Sequence, residues 1–366
     1  MSSSVGTFRD VLSGKKRGVV ATLLRMLLFP LSIGYRWGVA LRNHLYNRGL
    51  RSVRRVDAVV ISVGNLTTGG TGKTPLVETL ARMLRESGVR VAVVSRGYKR
   101  KRGRDSDEKL LLVENLPDVP HVIHANRVAA AREAVAKFDA QVVLMDDGFQ
   151  HRRLARDLDV VTVDATNPFG YGHLLPRGLL REPVRSLRRA DVVVITRTRL
   201  VPPQEPPRLE ATIREIAPHV LVVHAEDVVL GLRKPDGDML PASDLRGTRV
   251  VAFCGIGNPD AFRGTLNALG TRVEAFFAFG DHHRYRTRDL ETVDAQGHID
   301  KADAIVTTQK DVVRIDPGFH WHRELLVVRM ECRLTRGKEA FEERIRALVA
   351  ARRDASTPSP SGRGSG

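Results

Sequence analysis

Lys73 and Thr74 follow a glycine-rich turn in the stretch VGNLTTGGTGKTP, residues 63–75. That order of side chains is suited to holding phosphate. Backbone N–H groups of Gly69, Gly70, Thr71, Gly72, Lys73 and Thr74 can converge on phosphate oxygens at a helix N-terminus. Lys73 can neutralise the terminal phosphates, and Thr74 can place its hydroxyl on Mg²⁺. The usual spacing, G-x-x-x-x-G-K-[ST], is not quite met, because Thr67 stands where the first glycine belongs. Gly64, Gly69 and Gly70 are expected to supply the unusual backbone angles instead. A second group of chemical residues is Asp146-Asp147, which ends the apolar run 141–145. Carboxylates at the end of a neighbouring strand are where Mg²⁺ or its water is held. A third is GDHHRY, residues 280–285, where His282 or His283 could take a proton near neutral pH. Loop histidines are more often surface residues, and spacing alone does not assign either one.

These groups need a scaffold that brings strand ends together. Residues 58–63 form a β-branched run, 75–87 have helical apolar spacing with Gly88 as a stop, and 89–94 form another strand. Strand, glycine loop, helix and strand in that order is the context a phosphate loop requires. Further strands at 159–163, 191–195, 249–253 and 304–307 alternate with helical stretches. The expected fold is therefore α/β: a P-loop NTPase-like, doubly wound, mostly parallel sheet. Four regions are expected: a basic amphipathic segment (1–55), the nucleotide-binding core (56–245), a smaller C-terminal α/β part carrying DHH (246–351), and an unstructured tail (352–366) rich in Ser, Pro and Gly.

The formal net charge of +17 is unevenly spread, since residues 1–55 hold eleven Lys/Arg against Asp10 alone. The same segment is apolar from Val19 to Ala40 but is interrupted by Arg25, Pro30 and Arg36. A membrane span needs roughly 20 residues with few or no charges, and a central arginine costs about 2.5–3.5 kcal/mol. Two amphipathic helices, broken near Pro30 and lying at an anionic membrane surface, are the expected arrangement. Nucleic-acid binding is not expected, because aromatic residues are 5% of the chain and the excess charge lies on an apolar segment. Cys254 and Cys332 form neither a disulfide framework nor a metal cluster, which fits a reducing compartment.

SVGNLTTGGTGKTP, SRGY (95–98), DDGFQHRRLARDLD (146–159), PFGYGHLLPRGLLREP (168–183), GIGNP (255–259), DHH and TTQKD occur in this order. Together they resemble the tetraacyldisaccharide 4'-kinase family of lipid A biosynthesis over about residues 15 to 350. The resemblance implies transfer of the γ-phosphate of ATP, with Mg²⁺, to the 4'-hydroxyl of a tetraacylated disaccharide 1-phosphate. It implies an N-terminal helix docked on the cytoplasmic face of the inner membrane of a Gram-negative bacterium, with no obligate protein partner. Lys73 and Thr74 match the family's loop residues, and Asp146, Asp147 and Glu182 its acidic residues near the metal. Ser95, Arg96, Gln150 and His151 match motifs at the acceptor side, and His282 matches the histidine that activates the hydroxyl. The aspartate paired with that histidine belongs to a G-D-E-P motif that this chain lacks. Asp107, in SDEK, is the nearest counterpart. Gln309 stands where the family usually has Glu in T-T-E-K-D. The competing reading is a membrane-associated P-loop ATPase or GTPase switch. Against it, residues 63–72 carry no early extra lysine, and the lysine of TTQKD lies one place too late for a guanine-reading N/T-K-x-D.

Overall fold

The computed structural model describes residues 10–97 and 107–356. Helix α1 (Val19–Asn47) leads into β1 (Val59–Asn65), α2 (Lys73–Glu86) and β2 (Val91–Ser95). Then come α3 (Asp107–Asn115), β3 (His121–Ile123), α4 (Arg127–Phe138), β4 (Val142–Asp146), β5 (Leu158–Asp164) and β6 (Val192–Thr196). The second half contains α5 (Glu205–Ile216), β7 (Leu221–Arg233), β8 (Met239–Leu240), β9 (Arg249–Cys254), α6 (Pro259–Ala268) and β10 (Arg272–Ala278). It closes with α7 (Thr287–Ile299), β11 (Ala304–Thr308), the one-turn α8 (Gln309–Val312), β12 (Glu324–Leu334) and α9 (Lys338–Ser356).

These strands make one sheet in the order β10-β9-β11-β12-β7-β6-β5-β1-β4-β2-β3, with β8 added to β7. Strands β1, β4, β5 and β6 are buried along their whole length, which explains their Val/Ile-rich runs without alternation. Pairing is parallel except at β7, which runs antiparallel to β12 and to β8. Residues 221–225 of β7 lie beside β6, and residues 225–233 lie beside β12 with Ala225 opposite Leu334 and Arg233 opposite Val327. Strands β9 to β12 therefore run opposite to β1 to β6. The carboxyl ends of the two parallel sets point toward each other along β7. Ligands in open α/β sheets bind beyond such ends, and here two of them converge.

The parallel strands expected from the apolar runs are present within a residue or two of their expected positions. The long β7 and β12 were not anticipated, because charged residues such as Glu226, Asp227, Arg329 and Glu331 interrupt their apolar pattern. Nor does the final part of the chain stay with the C-terminal strands. Phe341, Ile345 and Val349 of α9 share one core with Val59, Leu80, Leu158 and Val192 of the nucleotide half. Helix α9 also continues to Ser356, past the expected start of the tail at 352.

Helix α1 corrects a further expectation, since Pro30 lies inside one continuous helix and does not divide two. Proline removes one helical bond and strains the preceding turn, at a cost of about 3 kcal/mol. Anchors just beyond it oppose a break. The Ser32 hydroxyl donates to the Leu174 carbonyl (2.9 Å) and accepts from Arg177 N–H (2.9 Å), and Tyr35 Oη donates to the Arg181 carbonyl (3.0 Å). The opposite side stays open: Val19, Val20, Leu23, Met26, Leu27, Leu31 and Trp37 are exposed. By length and composition the helix could cross a membrane.

Gly64 has a packing role rather than the conformational one expected for it. A Cβ there would lie 2.5 Å from Phe149 Cβ and 2.6 Å from Phe149 N, so β1 and the DDGFQ turn meet only because the side chain is missing. Positive φ occurs at Gly69 (118°), as expected, and at Gly72 (82°), but not at Gly64 or Gly70. Gly64→Ala should lower stability by about 1–3 kcal/mol, the range for overpacking a close-packed site. Urea unfolding followed by circular dichroism would measure it, and an unchanged midpoint would contradict this packing role.

Candidate active site

The phosphate loop is held from outside by its carbonyls. Arg197 Nη1 donates to the Gly70 carbonyl (2.7 Å), and Thr196 Oγ1 donates to the Thr71 carbonyl (3.1 Å). A trans peptide points its C=O and the following N–H in opposite directions. The N–H groups of Thr71 and Gly72 are therefore turned away from Arg197 and Thr196. Below the loop, Thr71 Oγ1 pairs with Thr162 Oγ1 (2.7 Å) and accepts from Asn65 Nδ2 (2.9 Å). Arg197 is itself fixed by Asp164 and by Asp227 (Nε–Oδ2 3.2 Å). Thr67, at the missing-glycine position, forms a β-bridge with Leu180, and Thr68 N–H donates to the Leu179 carbonyl (2.7 Å). An extended residue is needed there, so threonine suits the backbone.

Lys73 and Thr74 open α2 and meet the end of β4. Lys73 Nζ lies 3.6 Å from Asp147 Oδ1, and Thr74 Oγ1 lies 3.5 Å from Asp146 Oδ2. Arg181 Nη1 also donates to both oxygens of Asp147 (2.8 and 2.9 Å). Burial would raise the Asp147 carboxyl, but Lys73 and then Arg181 hold it below the usual carboxylate range. Burial lowers the Lys73 ammonium, and Asp147 partly offsets this. The result is a desolvated cation beside a shared carboxylate, an arrangement that a polyanionic ligand can enter by exchanging partners.

The expected residues do not all converge. Gln150 is locked at the end of β1, its Nε2 donating to the Asn65 carbonyl (2.8 Å). Ser95 is buried, with Oγ 2.9 Å from His121 Nε2, while Arg96 beside it is exposed. His151 is pushed down to about 4, first by burial and then by the surrounding Arg127, Arg156, Arg153 and Arg96, so it is neutral at pH 7. The expectation that Glu182 binds metal is not met by its surroundings. Arg42 (2.7 Å), Asn43 (3.0 Å) and Arg189 (2.8 Å) engage its two oxygens at full burial, and two guanidinium groups repel a cation. Glu182 instead ties α1 to the core. Asp107 begins α3, but its side chain lies outside the described residues, as do residues 98–106.

The C-terminal half closes over the loop through the GIGNP turn after β9. Gly257 packs so tightly on Gly70 that a Cβ would lie 2.2 Å from Gly70 N. Asn258 Nδ2 donates to Asp164 Oδ2 (3.0 Å), joining the clasp around Arg197. His282 N–H donates to the Gly255 carbonyl (3.0 Å), so the DHH turn hangs from the same segment. His282 has φ 58°, a left-handed conformation that costs a non-glycine residue about 1–2 kcal/mol. The second histidine has a structural place, with His283 Nε2 2.9 Å from Asp289 Oδ2 and its ring stacked on Phe279. Arg181, Arg197 and Asp164 were not anticipated. Arg181 lies within the quoted GLLREP motif, whereas nothing in local sequence marks the other two.

The family model for tetraacyldisaccharide-1-P 4'-kinase (LpxK) matches residues 24–350. A tetraacyldisaccharide 4'-kinase of Anaeromyxobacter dehalogenans is 40% identical over 356 residues, covering 92% of this chain and 93% of the relative. The enzyme of that name from Syntrophus aciditrophicus is 39% identical over 80% of this chain and 84% of its own length. Among solved structures, LpxK from Aquifex aeolicus in complex with ATP matches with a TM-score of 0.69 and 30% identity, over 89% of this chain and 99% of that one. With its phosphate loop, facing aspartates and a DHH turn tied to the GIGNP segment, the chain belongs to the tetraacyldisaccharide 4'-kinase family.

Proposed function

We infer that this chain is an ATP-dependent lipid kinase that phosphorylates the 4'-hydroxyl of a tetraacyldisaccharide 1-phosphate in lipid A biosynthesis. The observation that carries this reading is the meeting of Lys73 and Thr74 with Asp147 and Asp146 in a chain of that family. Family membership also favours the kinase over a nucleotide switch without an acceptor.

The residues at the end of β4 fit Mg²⁺. A threonine hydroxyl and an aspartate oxygen 3.5 Å apart, with a second carboxylate adjacent, form an oxygen-rich set of the kind that a hard cation takes. Thr74 and Asp146 would hold the ion, with Asp147 beside them. When bound, it neutralises charge on the transferring phosphoryl group. Lys73 supplies a desolvated positive charge to the same oxygens, where a low local dielectric makes it count for more. The peptide groups of residues 69–74 orient the phosphates. His282, on the turn bonded to the GIGNP segment that packs on Gly70, accepts the proton of the sugar hydroxyl, with Asp107 as its candidate partner. Arg96 and His151 are the candidate contacts to the acceptor. A neutral His151 suits hydrogen bonding to sugar hydroxyls better than charge pairing. Arg181 leaves Asp147 free for the metal when it turns to an anionic group of either substrate. The exposed apolar face of α1 supports docking on the cytoplasmic surface of the inner membrane, with flanking arginines and lysines on anionic headgroups.

With [γ-³²P]ATP and detergent-dispersed disaccharide 1-phosphate lipid, label should appear in a more phosphorylated lipid. Phosphate release without acceptor should be far slower, and equal turnover without lipid would favour the switch. His282→Ala should reduce kcat by about 10²–10⁴-fold, the range for loss of a general base; activity within a few-fold of wild type would remove His282 from that role. Because His151 titrates near 4, His151→Gln should leave the shape of the kcat–pH profile between pH 5.5 and 8.5 (a range of roughly three units around the ordinary histidine value) unchanged. A displaced limb in that profile would show that His151 carries the working proton. Leu23→Glu with Leu27→Glu should abolish co-sedimentation with anionic vesicles while ATP binding persists. Retained sedimentation would argue against docking through this face.

A further inference from the structure

Asp311 of the TTQKD motif is completely buried on α8, and its carboxylate collects donors from three loops. Oδ1 accepts from Gly255 N–H (2.8 Å), Tyr285 Oη (2.7 Å) and Arg314 Nη1 (3.3 Å), while Oδ2 accepts from Thr308 Oγ1 (2.6 Å). Arg314 Nη1 also donates to the Gly255 carbonyl (2.9 Å), the same oxygen that receives His282 N–H. Both polar groups of Gly255 are therefore clamped by the Asp311–Arg314 pair, and the peptide bond of His282 is hung from that clamp. A side chain at Gly255 would come within 3.1 Å of the Gly280 carbonyl, His283 Cβ and Tyr285 Oη, so it would push the three loops slightly apart.

The three loops follow β9, β10 and β11, adjacent parallel strands whose carboxyl ends face the phosphate loop. Without the clamp, nothing in the local sequence of GDHHRY would favour a left-handed residue at 282 over an ordinary turn. A buried carboxylate with several donors is rigid, because each bond lost would leave a polar group unsatisfied away from water. We propose that Asp311, working through Gly255, is a positioning residue that sets the conformation of His282 and its place relative to the GIGNP turn that packs on the phosphate loop. The motif that follows β11 thus has a geometric task in the phosphoryl transfer, although Asp311 itself touches no reacting atom. This inference rests on His282 being the base.

The phosphate loop itself is held by Arg197, Thr196 and Asn65, none of which contacts Asp311. Loss of the clamp should consequently be felt in kcat more than in the KM for ATP. Asp311→Asn, in the full-length protein assayed with labelled ATP and dispersed lipid acceptor, should lower kcat about 10–100-fold with KM for ATP changed by less than about threefold. In a His282→Ala background the same change should cost less than about threefold, because residues that act as a unit are strongly non-additive. An unchanged kcat in the single variant would overturn the proposal, as would an equal loss in both backgrounds. If His282→Ala alone retains near-wild-type activity, the assignment of the base fails, which is a separate outcome that also removes this inference. Should Asp311→Asn not fold, Arg314→Lys and Thr308→Val, which keep the carboxylate and weaken the clamp, are read by the same two-background comparison.

Discussion

Two sets of parallel strands that run in opposite directions can share one sheet only across an antiparallel seam, and the rest of this molecule follows from that seam. Strands β7 and β12 form it, and β7 is long enough to serve β6 with its first residues and β12 with the remainder. An ordinary doubly wound sheet has one row of carboxyl ends and therefore one site edge. Here the seam turns the second row around to face the first. The GIGNP turn can consequently rest on Gly70, and His282 is tied by its N–H to Gly255 of that same turn. Glu226 and Asp227 stand within the seam and bind Arg199 and Arg197, so the element that joins the halves also holds the phosphate loop.

Burial sets the electrostatics that result. Lys73, Asp147 and Arg181 form a row in which each charge is partly satisfied by the next. Such a row is stable without ligand because no charge is left alone, and it stays responsive because no pair is exclusive. A partly exposed ion pair of this kind gains little net stability. Its retention here fits a site in which an arriving triphosphate and metal replace protein partners one for one.

Much of this was legible in the chain itself. Buried parallel strands announce themselves by unbroken Val/Ile runs, and the phosphate loop by its glycines between strand and helix, so β1, α2, β2 and β4 were found with little error. The resemblance of several ordered motifs carried the function. Harder to see were features that depend on distant partners. Thr67 looked like a defect in a loop and is a bridging residue opposite Leu180. Pro30 looked like a helix break, but anchors at Ser32 and Tyr35 keep α1 continuous. Glu182 looked like a metal ligand, and its meaning depended on Arg42 and Arg189, one of them 140 residues away. The seam strands were hidden because their charged residues serve the site, which breaks the pattern of a buried strand.

The clamp at Glu182 has a consequence for how the molecule measures its surroundings. Arg181 and Glu182 are consecutive: the first grips Asp147 and takes a bond from Tyr35 at its carbonyl, and the second grips Arg42 and Asn43. The helix with the exposed apolar face and the carboxylates of the phosphate site are thus mounted on the same two residues. For a helix seated at a bilayer surface, this makes the protein a gauge of fixed height. The distance from the apolar face of α1 to the phosphate loop is built into the fold.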